Sequence, residues 1–201
     1  MGKVKYTKNE LKKQRDDLER YQRFLPTLQL KKRQLQSEVM SLKSELKRKT
    51  EELDEALTEL ESWQKLFSER MNIADYLRVE RIETAKANVV GVSVPELEEI
   101  VFDRTRPDYF SDPMWLDDGL DMLERLMRLK VELNIMRERL ELVEAELLVT
   151  TQRVNLFEKV KVPETQDNIR RIRIFLGDQQ TAAVARAKLA KSKTTEPEEA
   201  L

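Results

Sequence analysis

The sequence contains no histidine and no cysteine in 201 residues. Their absence removes the commonest zinc ligands, all disulfide and thiol chemistry, and every Ser–His or Cys–His nucleophile pair. Glycine is scarce, at four residues, and no GxxxxGK[ST] or GxGxxG motif occurs to cradle phosphate. Aromatics make up only 6% of the chain, which does not suit a thick globular core. There is no run of about 18 apolar residues, so no membrane-spanning helix is expected. The opening "MGKVKYTKNELKK" has no apolar stretch of the signal-peptide kind, and Tyr6 stands where a myristoylation motif requires Ser or Thr. A net charge of −1 gives no overall drive toward nucleic acid. Carboxylates such as Glu51, Glu52, Asp54 and Glu55 are plentiful, but acid–base catalysis by a carboxylate pair needs a cleft that raises one pKa. No such cleft is predicted, so neither catalysis, a cofactor nor a metal is expected.

What the chain does have is charge, at 37% of residues against about 25% in an ordinary domain. The charge is polarised along the sequence. Residues 1–50 hold 15 basic and 6 acidic side chains, residues 96–124 hold 2 and 10, and residues 164–193 hold 7 and 3. If the two ends lie together, one end of the molecule is basic and the other acidic.

Apolar residues recur at coiled-coil spacing. From Leu11 every seventh residue is Leu18, Leu25, Lys32, Val39, Leu46, Leu53, Leu60 and Phe67, apolar except for Lys32. A companion series runs through Gln14, Tyr21, Leu28, Leu35, Leu42, Lys49, Ala56, Trp63 and Arg70, six of the nine apolar. The polar lapses at Lys32 and Lys49 are placed to set register or to face a partner. This defines an N-terminal arm over residues 1–87, with a kink near Pro26. A second arm over residues 113–187 carries Leu126, Leu129, Leu133, Met136, Leu140, Val143, Leu147, Thr150, Val154 and Phe157. Asp112 and Pro113 read as its N-cap and first position. Its phase breaks near Pro163 and resumes at Ile169, Ile172 and Leu176, as at a stutter. Gly177 either ends the helix or is tolerated within it. Residues 188–201 are polar and expected to be disordered.

Between the arms, residues 88–112 are built like a turn-back. "NVVGVSVP", Asn88 to Pro95, is uncharged and rich in valine, and Ile100–Phe102 forms a second β-like run. Two such runs separated by Pro95–Glu99 predict a small β-hairpin at the foot of the chain reversal. The predicted fold is all-α: a long antiparallel two-helix coiled coil with a β-hairpin-like insert at the turn-back end. Residues whose numbers sum to about 200 should pair, placing Leu60 near Leu140. A parallel homodimer is the alternative. Candidate partner contacts are Asn88, Val90, Gly91, Val94 and Pro95 in the insert, Trp115 at the start of the second arm, and Asn168, Ile169, Arg170, Arg171 and Arg173 in "DNIRRIRIF". Local packing competes with partner contact at Trp115, and a solvated face competes with an acidic partner at the arginines.

Three stretches carry a family resemblance. They are "TKNELKK" with "LPTLQLKKRQLQ", then "NVVGVSVPELE" with "SDPMWLDDGLDML", and "QRVNLFEKVKVPETQDNIRRIRIFL" from Gln152 to Leu176. Together they resemble the D subunit of the V/A-type rotary ATPases, the central-stalk rotor shaft, over essentially the whole chain. The resemblance implies a non-catalytic protein that transmits torque between a nucleotide-binding catalytic hexamer and a membrane rotor ring, coupling ATP turnover to H+ or Na+ transport. The implied partners are that hexamer, the small F subunit of the stalk and a funnel-shaped subunit above the ring. Neither nucleic acid nor direct membrane insertion is implied, and the implied location is the cytoplasmic face of the cell membrane. A prefoldin-like coiled-coil chaperone and a structural coiled-coil spacer are the alternatives.

Overall fold

The computed structural model describes residues 4–63, 67, 72–108, 110 and 112–195. The helices are α1 (Lys8–Glu61), α2 (Leu116–Leu156) and α3 (Val162–Thr195), and an antiparallel hairpin of β1 (Leu77–Val89) and β2 (Val92–Arg104) lies between α1 and α2. A short 3-10 turn, Ile73–Asp75, precedes β1, and a π-helical turn, Phe157–Lys161, joins α2 to α3. The expected class, long helices with one small β insert, is the class observed. Tertiary contacts divide the chain into two units, residues 1–30 with 150–201, and residues 31–149.

In the first unit α1 starts with a capping arrangement, the Glu10 N–H donating to Thr7 Oγ1 at 3.2 Å. The helix runs on through Pro26, where the missing N–H leaves the Gln22 carbonyl without its usual helical donor. Tyr6 meets Phe175 with ring centroids 5.1 Å apart, and Tyr21 meets Phe157 at 5.3 Å. Low numbers therefore face high numbers, and the pairing is antiparallel and within one chain. Val154, Thr165, Ile169 and Ile172 are buried here. The phase break has a backbone cause. Val162 N–H donates to the Phe157 carbonyl, five residues back, and Pro163 next to it has no N–H to give. The buried positions accordingly step from Val154 to Thr165 before regular spacing returns. Gly177 lies within α3, which continues to Thr195. Residues 188–195, expected to be disordered, are thus helical, and 196–201 lie outside the described residues.

In the second unit three apolar clusters form. Leu35, Val39 and Leu42 of α1 pack with Val143 of α2 and Val94 of β2. Ala56 packs with Leu126 and Leu129. Leu77 packs with Leu116 and Leu120. Leu60 sits with Met122 beside the second cluster, while Leu140 belongs to the first. The expected pairing of Leu60 with Leu140 is therefore displaced, by about five helical turns. The cause is that α1 ends at Glu61 and α2 starts at Leu116, so the connection is far longer than residues 88–112. Residues 77–87, expected within the first arm, are β1. The second arm starts at Leu116 rather than Pro113, with Pro113–Trp115 forming a turn whose Pro113 carbonyl accepts the Leu116 N–H at 3.0 Å.

The hairpin also differs from its expected form. Its strands have 13 residues each, its turn is Val90–Gly91, and Pro95–Glu99 lies inside β2. Proline is tolerated because each strand of a two-stranded ladder has an open edge on which no N–H is needed. Register shifts between Val79 and Arg81 and between Glu83 and Thr84 mark bulges.

Candidate functional site

The hairpin tip is fixed by its turn and by one apolar face. Val90 and Gly91 both have positive φ, 52° and 78°, the type I′ combination whose twist suits a two-residue hairpin. Glycine adopts it freely, whereas a β-branched residue is strained there. Asn88 Oδ1 accepts the Gly91 N–H at 2.9 Å and ties the turn. Ala87, Val89, Val92 and Val94 share one face by the two-residue period of a strand, and this face, with Val90, packs on the Leu35–Val143 cluster. That burial offsets the strain at Val90. The tip therefore does not sit where the chain reverses. It lies against the stretch of α1 from Leu35 to Leu42, a hairpin length away from its own base.

Of the residues named for the tip, Asn88 and Gly91 are exposed, Val90 and Pro95 are half-buried, and Val94 is interior at 1% exposure. Val94 holds the tip in place and offers nothing to a partner. Pro95 lines a groove with Leu42, Lys49 and Glu132. Lys49, a polar lapse in the sequence pattern, donates to Glu132 Oε2 across the helix pair at 2.7 Å, with Glu52 3.6 Å away. The hydrogen bond to Glu132 raises its pKa above the ordinary lysine value. Lys49 thus fixes register, one of the two roles its position allowed. Lys31–Glu146 at 2.7 Å and Arg139–Glu38 at 3.3 Å add to the same lock.

At the hairpin's base Arg104 bridges β2 to α2. Its guanidinium bonds Asp117 at 2.7 Å and Asp121, with Glu124 at 3.5 Å. Arg128 lies over the Phe102 ring, 5.5 Å from its centroid. Part of the acidic surplus of residues 96–124 is consumed by this fork. Tyr76 Oη donates to Asp112 Oδ1 at 3.0 Å, which raises the tyrosine pKa, and Asp112 Oδ2 accepts the Asp108 N–H at 2.8 Å. Trp115 is half-buried and meets Phe67 edge-on at 5.3 Å. Gly119 runs beneath this pair, where a Cβ would lie 3.2 Å from Phe67 and 3.3 Å from Trp115. Packing is thus the observed role of Trp115. Two neighbours that sequence reasoning passed over are bare, Phe110 at 101% and Met114 at 92% exposure. Both flank the Asp-Pro turn, and large apolar side chains in so acidic a turn were the available signal.

In the first unit Asn168 Nδ2 donates to Gln14 Oε1 at 3.4 Å, and Ile169 is buried. Both hold the helix pair. Arg170, Arg171 and Arg173 are exposed, so the structure keeps the arginines as a surface while taking Ile169 away from it. The exposed positions of both units are largely charged, with apolar side chains such as Phe24, Met40 and Leu148 among them, and no cluster of three or more His, Cys, Asp or Glu side chains among the described residues is placed to hold a metal ion.

Residues 10–192 match the family model described as the D subunit of ATP synthase. The chain belongs to the ATP synthase D-subunit family. Among curated relatives, the V-type ATP synthase D subunit of Borreliella burgdorferi is 42% identical over 192 residues, covering 96% of this chain and 95% of the relative. The same-named proteins of Chlamydia felis and Chlamydia pneumoniae are 32% and 33% identical. They cover 98% and 94% of this chain, and 97% and 92% of their own lengths. Membership in the D-subunit family makes the chain a non-catalytic stalk component of a V-type ATP synthase. No helix among its described residues is long and apolar enough to cross a membrane.

Proposed function

We propose that the chain is the central rotor shaft of its complex, carrying torque between a nucleotide-binding hexamer and a membrane rotor ring, and so coupling ATP synthesis or hydrolysis to H+ or Na+ transport. The observation that supports this most is the ion-pair lock across α1 and α2. Lys31–Glu146, Lys49–Glu132 and Arg139–Glu38 are side-chain pairs between the two helices of one unit. A shaft under torque must resist sliding of one helix along the other, and charged pairs at fixed positions oppose such slip where a uniform leucine seam would not. The charged outer face suits a part that moves past its neighbours without tight adhesion.

In this reading the arginine-bearing unit faces the hexamer. The end carrying Phe110 and Met114 docks on a funnel-shaped subunit above the ring, and the small F subunit of the stalk binds beside the hairpin. The complex then holds the chain at the cytoplasmic face of the membrane. Co-expression with the catalytic subunits tests it. The shaft reading expects a stoichiometric complex whose ATP hydrolysis depends on this chain. Suppression of client aggregation by the isolated chain, with no such complex, would instead favour a prefoldin-like chaperone.

A further inference from the structure

We infer that the first unit carries one built seat for an acidic protein segment with a single large apolar side chain, set between α1 and α3 and distinct from the general basic surface. The seat rests on the shaft reading, which supplies a protein partner at this unit. Its floor is Leu18 and Ile169, and Ile174 stands at its edge with 56% exposure. Arg15, Arg170 and Arg173 surround that floor, and Gln22 and Gln166 offer amides at the sides. One carboxylate, Glu19, lines the groove.

The three arginines have no ion-pair partner among the described residues. Their neighbour Arg171, which does not line the groove, reaches Asp167 at 4.0 Å. In a chain with 38 acidic residues against 37 basic ones, three arginines around a groove that one carboxylate lines are a local excess. Arginine is suited to bidentate capture of carboxylates and to packing on apolar groups. An apolar floor ringed by such groups fits a leucine, methionine or phenylalanine flanked by aspartate or glutamate. A nucleic-acid backbone fits poorly, because Glu19 and the two glutamines interrupt the basic track and the floor is apolar.

Photo-cross-linking in the assembled ATPase tests the seat. A benzoylphenylalanine replaces Gln22 inside the groove, with Glu19 as a second groove position and Arg171 as the outside control. The expected result is capture, from both groove positions, of a hexamer peptide that contains an aliphatic or aromatic residue flanked by carboxylates. The R15Q/R170Q/R173Q chain should reduce capture about tenfold, since each exposed pair contributes little and three act together. The single variant R171Q should leave capture unchanged. The seat is overturned if neither groove position captures the hexamer in an assembled complex, if the captured segment lacks carboxylates, or if R171Q acts as strongly as the triple variant. A chain that never assembles with the hexamer overturns the shaft reading itself, and the seat with it.

Discussion

Substituting Val94 by alanine tests whether the hairpin tip is held on the helices by its apolar face. Val94 is 1% exposed and packs among Leu35, Val39, Leu42 and Val143. The substitution removes two methyl groups, worth about 1.6 kcal/mol in transfer free energy at about 0.8 each. A residual cavity adds some tens of calories per Å3, and partial collapse limits the sum to about 2 kcal/mol. That cost falls on the docked tip. Amide hydrogen exchange should therefore speed up about thirtyfold across Ala87–Val94. The inner part of α2 around Leu126–Leu133 should keep its protection, because its contacts lie in a different cluster. Val90→Asn is the companion. Asparagine tolerates positive φ well, so the turn relaxes while one apolar contact is lost, and the net change should stay within about 1 kcal/mol. Uniform loss of protection along the chain in Val94→Ala would refute the reasoning, since it would make the hairpin part of one indivisible folding unit. Unchanged exchange at the tip would refute it equally, by showing that the tip is not held by this cluster.

Other substitutions give independent checks. Gly177→Ala should raise the thermal midpoint, by up to about 1 kcal/mol of stability, because Gly177 is inside α3 and a Cβ there meets nothing within 4 Å; a fall in the midpoint on calorimetry would count against that helix. Lys49→Met should cost about 1 kcal/mol at neutral pH by urea denaturation. The Lys49 pKa is raised in the folded chain, so the pair's contribution is fully present below the unfolded lysine pKa and disappears as pH rises through the folded one. Wild type and Lys49→Met should therefore differ at neutral pH and converge above about pH 10.4, and convergence already at neutral pH would mean that Glu132 is not its partner. Arg104→Ala should free the hairpin base from α2, costing about 1 kcal/mol and increasing exchange at Phe102–Thr105 before the tip; if the tip loosens first, Arg104 is not the bolt.

The heptad pattern made the helices legible because α1 and α2 bury one stripe each, and the seam residues Leu35, Leu42, Leu129, Leu133 and Val143 are the ones inside. The phase break was legible too, since Pro163 cannot donate in any register. The hairpin's extent was not. In "LRVERIETAKANV" charged residues lie between scattered apolar ones, so β1 reads as more helix until its partner strand is known. The long-range register failed for the same reason, as it depends on where α1 stops. At the candidate surfaces, residue type alone could not separate Val94 and Ile169, which are buried, from Asn88 and Arg170, which are not. That distinction needs the opposing helix. The groove arginine Arg15 was missed because nothing in the sequence links it to Arg170 and Arg173.

The shaft claim is tested most directly by watching the chain turn. Because the sequence has no cysteine, Phe110→Cys supplies a single biotinylation site at a fully exposed position. With a complex of this chain and the catalytic hexamer, prepared without the funnel-shaped subunit, fixed to a surface through the hexamer and a bead attached at that site, the account predicts unidirectional rotation that starts with ATP and stops when ATP is removed. Sustained ATP hydrolysis by the same immobilised complexes with stationary beads would contradict it.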